Sequence, residues 1–207
     1  MIIDLHLNEK SVIIVGAGNE ALKRIKLLEN EGCEIIVIGE KPIAEITKLS
    51  QKKKITLKKI KITSTSFLKK YKPFLVIAST TDSVLNQKIV QTAKKMKILA
   101  YASDSPDSSD ISYMSLIDIK KTIKVAISTS GSSPIMAKKI KSKTEKCLQK
   151  NISDQDIELI KIQKFARKES KKHILTQIER KKFLYELMND KRVKELLKDG
   201  KYKAIQT

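Results

Sequence analysis

Ser11-Val12-Ile13-Ile14-Val15 runs directly into Gly16-Ala17-Gly18-Asn19-Glu20-Ala21, and the apolar residues that follow, Leu22, Ile25 and Leu28, share one helical face. A short, unbroken β-branched run is the pattern of a strand buried on both sides, as parallel sheets require. The order strand, Gly-x-Gly-x-x-Ala, helix therefore predicts a βα unit whose turn has the form of a dinucleotide fingerprint. Gly16 makes the tight turn, Gly18 lets backbone N–H groups approach a pyrophosphate, and Ala21 keeps the helix close to the strand. The helix N-terminus then offers its partial positive charge to phosphates. After Gly32-Cys33 a second apolar strand, Glu34 to Ile38, runs into Gly39-Glu40. Glu40 stands near the ~20-residue distance of the acid that binds a ribose 2′-OH. A tight βα turn without a ligand shares the Gly-x-Gly pattern; the ordered strand, helix, second strand and acid favour NAD. Glu40 repels a 2′-phosphate, and the neighbouring Lys41 weakens that preference.

Strand and helix patterns alternate as far as Ala102. A helix is expected over Pro42 to Gln51, an edge strand over Ile55 to Ile62, and a buried strand over Phe74 to Ala78. A helix through Val84, Ile89, Val90 and Ala93 follows, then a strand over Ile98 to Ala102. Short connections between alternating β and α elements predict an α/β, Rossmann-like, doubly wound parallel sheet. Ligands of such sheets sit at the carboxyl ends of the strands. Gly16, Gly39, Ser79-Thr80-Thr81 and Ser103-Asp104 all fall at such ends. The expected nucleotide-binding residues are thus Gly16, Gly18, Asn19, Glu20, Glu40, Lys41, Thr80 and Thr81.

From Ser103 to Asp110 the chain is a serine- and aspartate-rich loop. Two strand-like runs, Ile111 to Ile117 and Ile123 to Ser128, read as a hairpin outside the parallel sheet. Thr129-Ser130-Gly131-Ser132-Ser133-Pro134 then opens a helix, with Ser133 as N-cap and Pro134 at its first position. Beyond Ile152 the chain is helical and highly charged. Ser153 can cap one helix, with Ile157, Ile160, Ile162 and Phe165 on its apolar side. Thr176-Gln177-Ile178-Glu179 forms a capping box for a second, and a short last helix with Val193, Leu196 and Leu197 stops near Gly200. The expected domains are a nucleotide-binding domain over 1–110, a segment of hairpin and helix over 111–150, and a small helical domain over 151–207.

The net charge is +20, from 43 Lys and Arg against 23 Asp and Glu. Such a field draws anionic partners. The lysines are spread over element ends and exposed faces, there is no Trp, and no nucleic-acid reader module is present, so nucleic acid is not the expected partner. No run reaches the ~18 apolar residues of a membrane span. The start, Met1-Ile2-Ile3-Asp4, lacks signal-peptide features, which points to a cytoplasmic protein. Cys33 and Cys147 stand apart, and neither they nor His6 and His173 have ligand-spaced partners, so no metal site is expected.

Taken together, these segments resemble the precorrin-2 dehydrogenase family, the N-terminal module of siroheme synthases. The resemblance rests on Gly16 to Ala21 with the basic pair Lys23-Arg24, on Ala78-Ser79-Thr80-Thr81-Asp82 with Asn86, and on Ser103-Asp104-Ser105-Pro106. Most specific is Ile127-Ser128-Thr129-Ser130-Gly131-Ser132-Ser133-Pro134-Ile135-Met136-Ala137. Two positions depart from the family pattern: Tyr101 stands for an asparagine, and Ile111-Ser112-Tyr113-Met114 for Phe-x-x-Pro. The resemblance implies NAD-dependent oxidation of precorrin-2 to sirohydrochlorin, with iron insertion as a further activity of some relatives. It implies Asp104 as the catalytic base and a homodimer built through the hairpin and following helix. Ser128, Thr129, Ser130 and Ser132 are the expected contacts to the carboxylates of a tetrapyrrole. An NAD-sensing regulatory module, or a tetrapyrrole-binding paralogue without dehydrogenase activity, are the rival readings.

Overall fold

A computed structural model describes residues 2–198, which fall into two compact units divided between Tyr113 and Met114. The first unit is a five-stranded parallel sheet of β1 (Ser11–Val15), β2 (Glu34–Ile38), β3 (Thr56–Lys58), β4 (Leu75–Ala78) and β5 (Leu99–Ala102), ordered β3-β2-β1-β4-β5. Alternate residues of each strand feed opposite layers. Val12 and Ile14 of β1 pack with Ala21, Ile25 and Leu28 of α1 (Asn19–Leu28) and with Ile46 of α2 (Ala44–Gln51). Ile13 and Val15 pack with Phe67 and Leu68 of α3 (Ser66–Tyr71) and with Ile89, Val90 and Ala93 of α4 (Ser83–Lys95). The sheet is buried on both faces, which is why its inner strands read as unbroken apolar runs.

Several boundaries differ from the sequence expectation. β3 stops at Lys58 instead of reaching Ile62, because the Ile60 N–H turns back onto the Lys58 carbonyl at 3.0 Å and takes the chain off the sheet. The sequence carries no clear signal for helix α3: six residues offer too few turns for a helical period, and only Phe67 and Leu68 of it are buried. The Pro42 to Gln51 helix begins at Ala44, since Ile43 is extended and donates its N–H to Ala17. The hairpin strand expected from Ile111 begins at Ser115, because Ile111 and Tyr113 pack instead against the core of the first unit.

The second unit holds that hairpin, β6 (Ser115–Ile119) and β7 (Ile123–Ile127), and four helices: α5 (Pro134–Asn151), α6 (Asp154–His173), α7 (Gln177–Asn189) and α8 (Lys191–Lys198). Lys120 and Lys121 both take positive φ in the turn, and the Asp118 carboxylate accepts the Lys121 N–H. Ser153 and Asp156 make a full capping box at α6. At α7 only half of the expected box forms. Thr176 accepts the Glu179 N–H, while the Glu179 carboxylate takes the Thr176 hydroxyl and not its backbone N–H. Ile157 and Ile162 are buried on α6, whereas Ile160 and Phe165 stay partly exposed. The helix stop expected near Gly200 lies outside the described residues. No described helix is long and apolar enough to cross a membrane.

Candidate nucleotide and proton-transfer site

The strand order reverses between β1, which leads to β2, and β4, which leads to β5. Loops leaving the strands at such a reversal diverge and open a crevice at the carboxyl ends. Here they leave side by side: the Gly16 N–H donates to Ile38 at 2.8 Å, Ser79 to Val15 at 2.8 Å, and Ser103 to Ala78 at 3.0 Å. The turns at Gly16, Gly39, Ser79 and Ser103 are thereby gathered at one end of the sheet, as the sequence predicts.

Gly16 and Gly18 are glycines for different reasons. Gly16 has φ +113°, and a Cβ there would stand 2.5 Å from the Ser79 carbonyl oxygen, so the fold itself requires glycine. Gly18 has an ordinary φ of −97°, and a Cβ there would meet nothing within 4 Å. Nothing in the chain needs glycine at position 18; what a side chain would fill is open space at the N-terminus of α1. The first intrahelical bond runs from Leu22 to Gly18. The N–H groups of Asn19, Glu20 and Ala21 therefore have no intrahelical acceptor, and Gly18 contributes no side-chain cap. Open room and unclaimed donors together form a cradle that fits a pyrophosphate.

Glu20 brings its backbone rather than its carboxylate to this cradle. Burial pushes the Glu20 carboxyl up, but the Lys23 hydrogen bond at 3.0 Å and the Arg24 charge outweigh it and hold the group below its ordinary value. Asn19 is exposed at the mouth. Glu40 and Lys41 are exposed just beyond β2 and take part in no ion pair among the described residues.

At the end of β4 the Thr80 N–H and hydroxyl both donate to Asn86 Oδ1, at 3.2 and 2.7 Å. Asp82 caps α4 by accepting the Leu85 N–H at 3.0 Å, and Thr81 is exposed. Asp104 lies two residues past β5 and is exposed. Its Oδ2 accepts a hydrogen bond from the Asn86 amide at 3.0 Å, and its Oδ1 has no partner among the described residues. The acidic loop behind it has a structural use. Ala100 donates to the Asp110 carboxylate at 3.0 Å and Ala102 to the Ser109 hydroxyl at 2.9 Å, so two loop side chains satisfy the free edge of β5.

A further cluster gathers around Arg24. Arg24, with a side chain only 13% exposed, lies 4.9 Å from the ring centre of Tyr101 and 4.2 Å from that of Tyr113, and donates to the Tyr101 hydroxyl at 3.1 Å. The two rings meet edge to face at 4.9 Å. Burial pushes the Tyr113 hydroxyl up to about 12, against the opposing pull of Arg24. The cluster ties helix α1 to β5 and to the end of the Asp104 loop. Its sequence signals are the basic pair after the fingerprint and the two departures that place tyrosines at 101 and 113.

The remaining expected residues lie in the second unit. Ser128 accepts the Ser130 N–H at 3.0 Å, and the Thr129 hydroxyl is committed to the N–H and C=O of Ser133, both at 3.2 Å. Ser133 caps α5 through the Met136 N–H. Ser130 and Ser132 are exposed, with hydroxyls that make no hydrogen bond among the described residues.

The chain is similar to known proteins in sequence and in fold. An NAD(P)-binding family model, NAD_binding_7, matches residues 3–115, the span that holds the sheet, the cradle and Asp104. The chain belongs to this NAD(P)-binding family. The precorrin-2 dehydrogenase of Bacillus subtilis is 28% identical over 70% of the chain and 86% of its own length. The siroheme synthase of Buchnera aphidicola is 30% identical over 97% of the chain, and that of Nitrosococcus oceani 30% over 68%. The chain spans 41% and 29% of the length of these two synthases. The solved structure of SirC, a precorrin-2 dehydrogenase, has the same fold, with a TM-score of 0.72 at 24% identity, covering 100% of this chain and 98% of that one. As an NAD(P)-binding chain, it would hold the pyrophosphate at the Gly18 cradle and the adenosine ribose near Glu40.

Proposed function

We propose that the chain oxidises precorrin-2 to sirohydrochlorin, yielding NADH and one proton. The observation that carries this reading is Asp104, a carboxylate at the carboxyl end of β5 with one oxygen held by Asn86 and the other free. It lies in the same unit as the pyrophosphate cradle, and the precorrin-2 dehydrogenase of Bacillus subtilis supports the choice of substrate. NAD, when bound, supplies the hydride acceptor. Asp104 Oδ1 takes the proton that leaves as the tetrapyrrole extends its conjugation. Glu40, unpaired and exposed, favours a free ribose 2′-OH over a 2′-phosphate. The substrate is a polycarboxylate, which suits the +20 chain, and the free hydroxyls of Ser130 and Ser132 suit its carboxylates, with Ser128 and Thr129 shaping their loop. A homodimer belongs to the same reading, supported by the exposed Ile135, Met136 and Ile140 on α5.

The test supplies precorrin-2 and NAD⁺, with and without Fe²⁺, and follows NADH and the tetrapyrrole spectrum. Asp104→Ala should retain nucleotide affinity and lose roughly two to four orders of magnitude in turnover. Near-normal NADH production by that variant overturns the role of Asp104. Nucleotide binding without any turnover in the unmodified chain favours a sensor instead.

A further inference from the structure

Asn86 is 1% exposed, and Asn86 and Ser170 are the two buried polar residues among the described ones. A buried primary amide is stabilised only when its donors and acceptor are all matched. Asn86 meets that condition in full. Its Oδ1 accepts the Thr80 N–H and hydroxyl, and its Nδ2 donates to the Thr80 carbonyl at 3.1 Å and to Asp104 Oδ2 at 3.0 Å. Turning the amide over would set its oxygen against two acceptors, the Thr80 carbonyl and the Asp104 carboxylate, so the network fixes its orientation. Asn86 sits on α4, whose neighbours Ile89, Val90 and Ala93 are packed into the core. The amide is thus anchored on a rigid element, while both of its partners are loop residues.

We propose that Asn86 is a positioning residue for proton transfer, resting on the reading of Asp104 as the base. It holds Oδ2 of Asp104 so that Oδ1 faces the crevice, and in the same grip it fixes the Thr80 turn at the end of β4. The loop carrying the base and a turn beside the cofactor cradle share one clamp, so their separation is set by a single side chain. A displacement of about 1 Å at a reacting group costs on the order of a hundredfold in rate, which is what the clamp prevents.

The test uses the full chain with Asn86→Ala, which removes the clamp, and Asn86→Asp, which keeps the oxygen facing Thr80 but opposes a second carboxylate to Asp104. Asn86→Asp should lower kcat by about ten- to hundredfold while nucleotide Kd by calorimetry stays within twofold of the unmodified value, roughly the scatter expected of an uncoupled site. In a double-mutant cycle, Asn86→Asp, which keeps the oxygen facing Thr80, combined with Asp104→Ala should be no slower than Asp104→Ala alone. In the nucleotide-free protein, the Asn86 side-chain amide signals in a ¹H–¹⁵N spectrum should move on Asp104→Ala; this readout holds even where an Asn86 variant does not fold. Unmoved amide signals, full kcat in a folded Asn86→Asp, or rate losses that multiply in the double variant overturn the proposal alone. Full turnover by Asp104→Ala overturns the reading of the base and this inference with it.

Discussion

Replacing Gly18 by serine should move stability and nucleotide binding in opposite directions. The Gly18 backbone, at φ −97° and ψ −164°, is extended and is the N-cap of α1. Serine is at home there, its Cβ meets no atom within 4 Å, and its hydroxyl can accept one of the unclaimed N–H groups. A serine cap exceeds glycine by only a few tenths of a kcal/mol, so the melting temperature of the nucleotide-free protein should hold or rise by about a degree. The same side chain occupies the cradle and takes a donor that the pyrophosphate would use. An anion well placed at a helix N-terminus gains up to ~2 kcal/mol, so losing that position weakens nucleotide binding by up to about thirtyfold. Gly16→Ala is the control. Its φ of +113° and the 2.5 Å approach to Ser79 make it cost about 1–3 kcal/mol in backbone strain before the overlap is counted. Differential scanning calorimetry and isothermal titration on the two variants decide the matter. If Gly18→Ser melts as low as Gly16→Ala, or binds NAD⁺ unchanged, the assignment of position 18 to ligand clearance is wrong.

Tyr113 gives a prediction at high pH. Its hydroxyl keeps its proton to about 12 when folded, against an ordinary value of 10.0. Between these the folded chain holds a proton that the unfolded chain has lost. Stability is therefore unaffected by this group below pH 10 and falls as pH rises toward 12, by up to about 1.4 kcal/mol per pH unit. Urea melts across that range should show a shallower decline in Tyr113→Phe, and an equal decline refutes the burial argument. In the second unit, Ser130→Asp and Ser132→Asp should each weaken binding of a carboxylated porphyrinoid by about fivefold, read by absorption titration, with NAD affinity unchanged. Unchanged porphyrinoid affinity would reduce this segment to a helix cap.

The parallel sheet was legible because burial on both faces leaves a strong trace. Val12 to Val15, Ile35 to Ile38 and Leu75 to Ala78 can be little else. Where burial is one-sided or brief, the trace fades. β3 has only the partly buried Leu57 to mark it, and α3 is shorter than two helical turns. The Ile111 to Ile117 run is divided: Ile111 and Tyr113 serve the core of the first unit, while Leu116 and Ile117 belong to the hairpin strand β6. At the site, glycine spacing and strand ends located the cradle and the Asp104 loop. They could not show that Glu20 turns to Lys23 and Arg24, nor that Thr129 is committed to its own loop, because both depend on side-chain direction rather than position. Asn86 is marked in the sequence by the family resemblance alone, and its burial against the β4 and β5 loops is a tertiary fact.

The lateral finish of the sheet ties solubility to the Asp104 loop. An exposed β edge is a template for pairing with another chain, and proteins blunt it by brevity, charge or cover. On one side β3 is three residues long and followed by Lys59. On the other, β5 carries no charged residue of its own, and Asp110 and Ser109 cover it by closing over Ala100 and Ala102. These residues come from the same stretch that presents Asp104. A substitution that loosens this stretch frees backbone N–H groups for intermolecular strand addition, so its damage would register as turbidity and lost yield alongside any fall in rate.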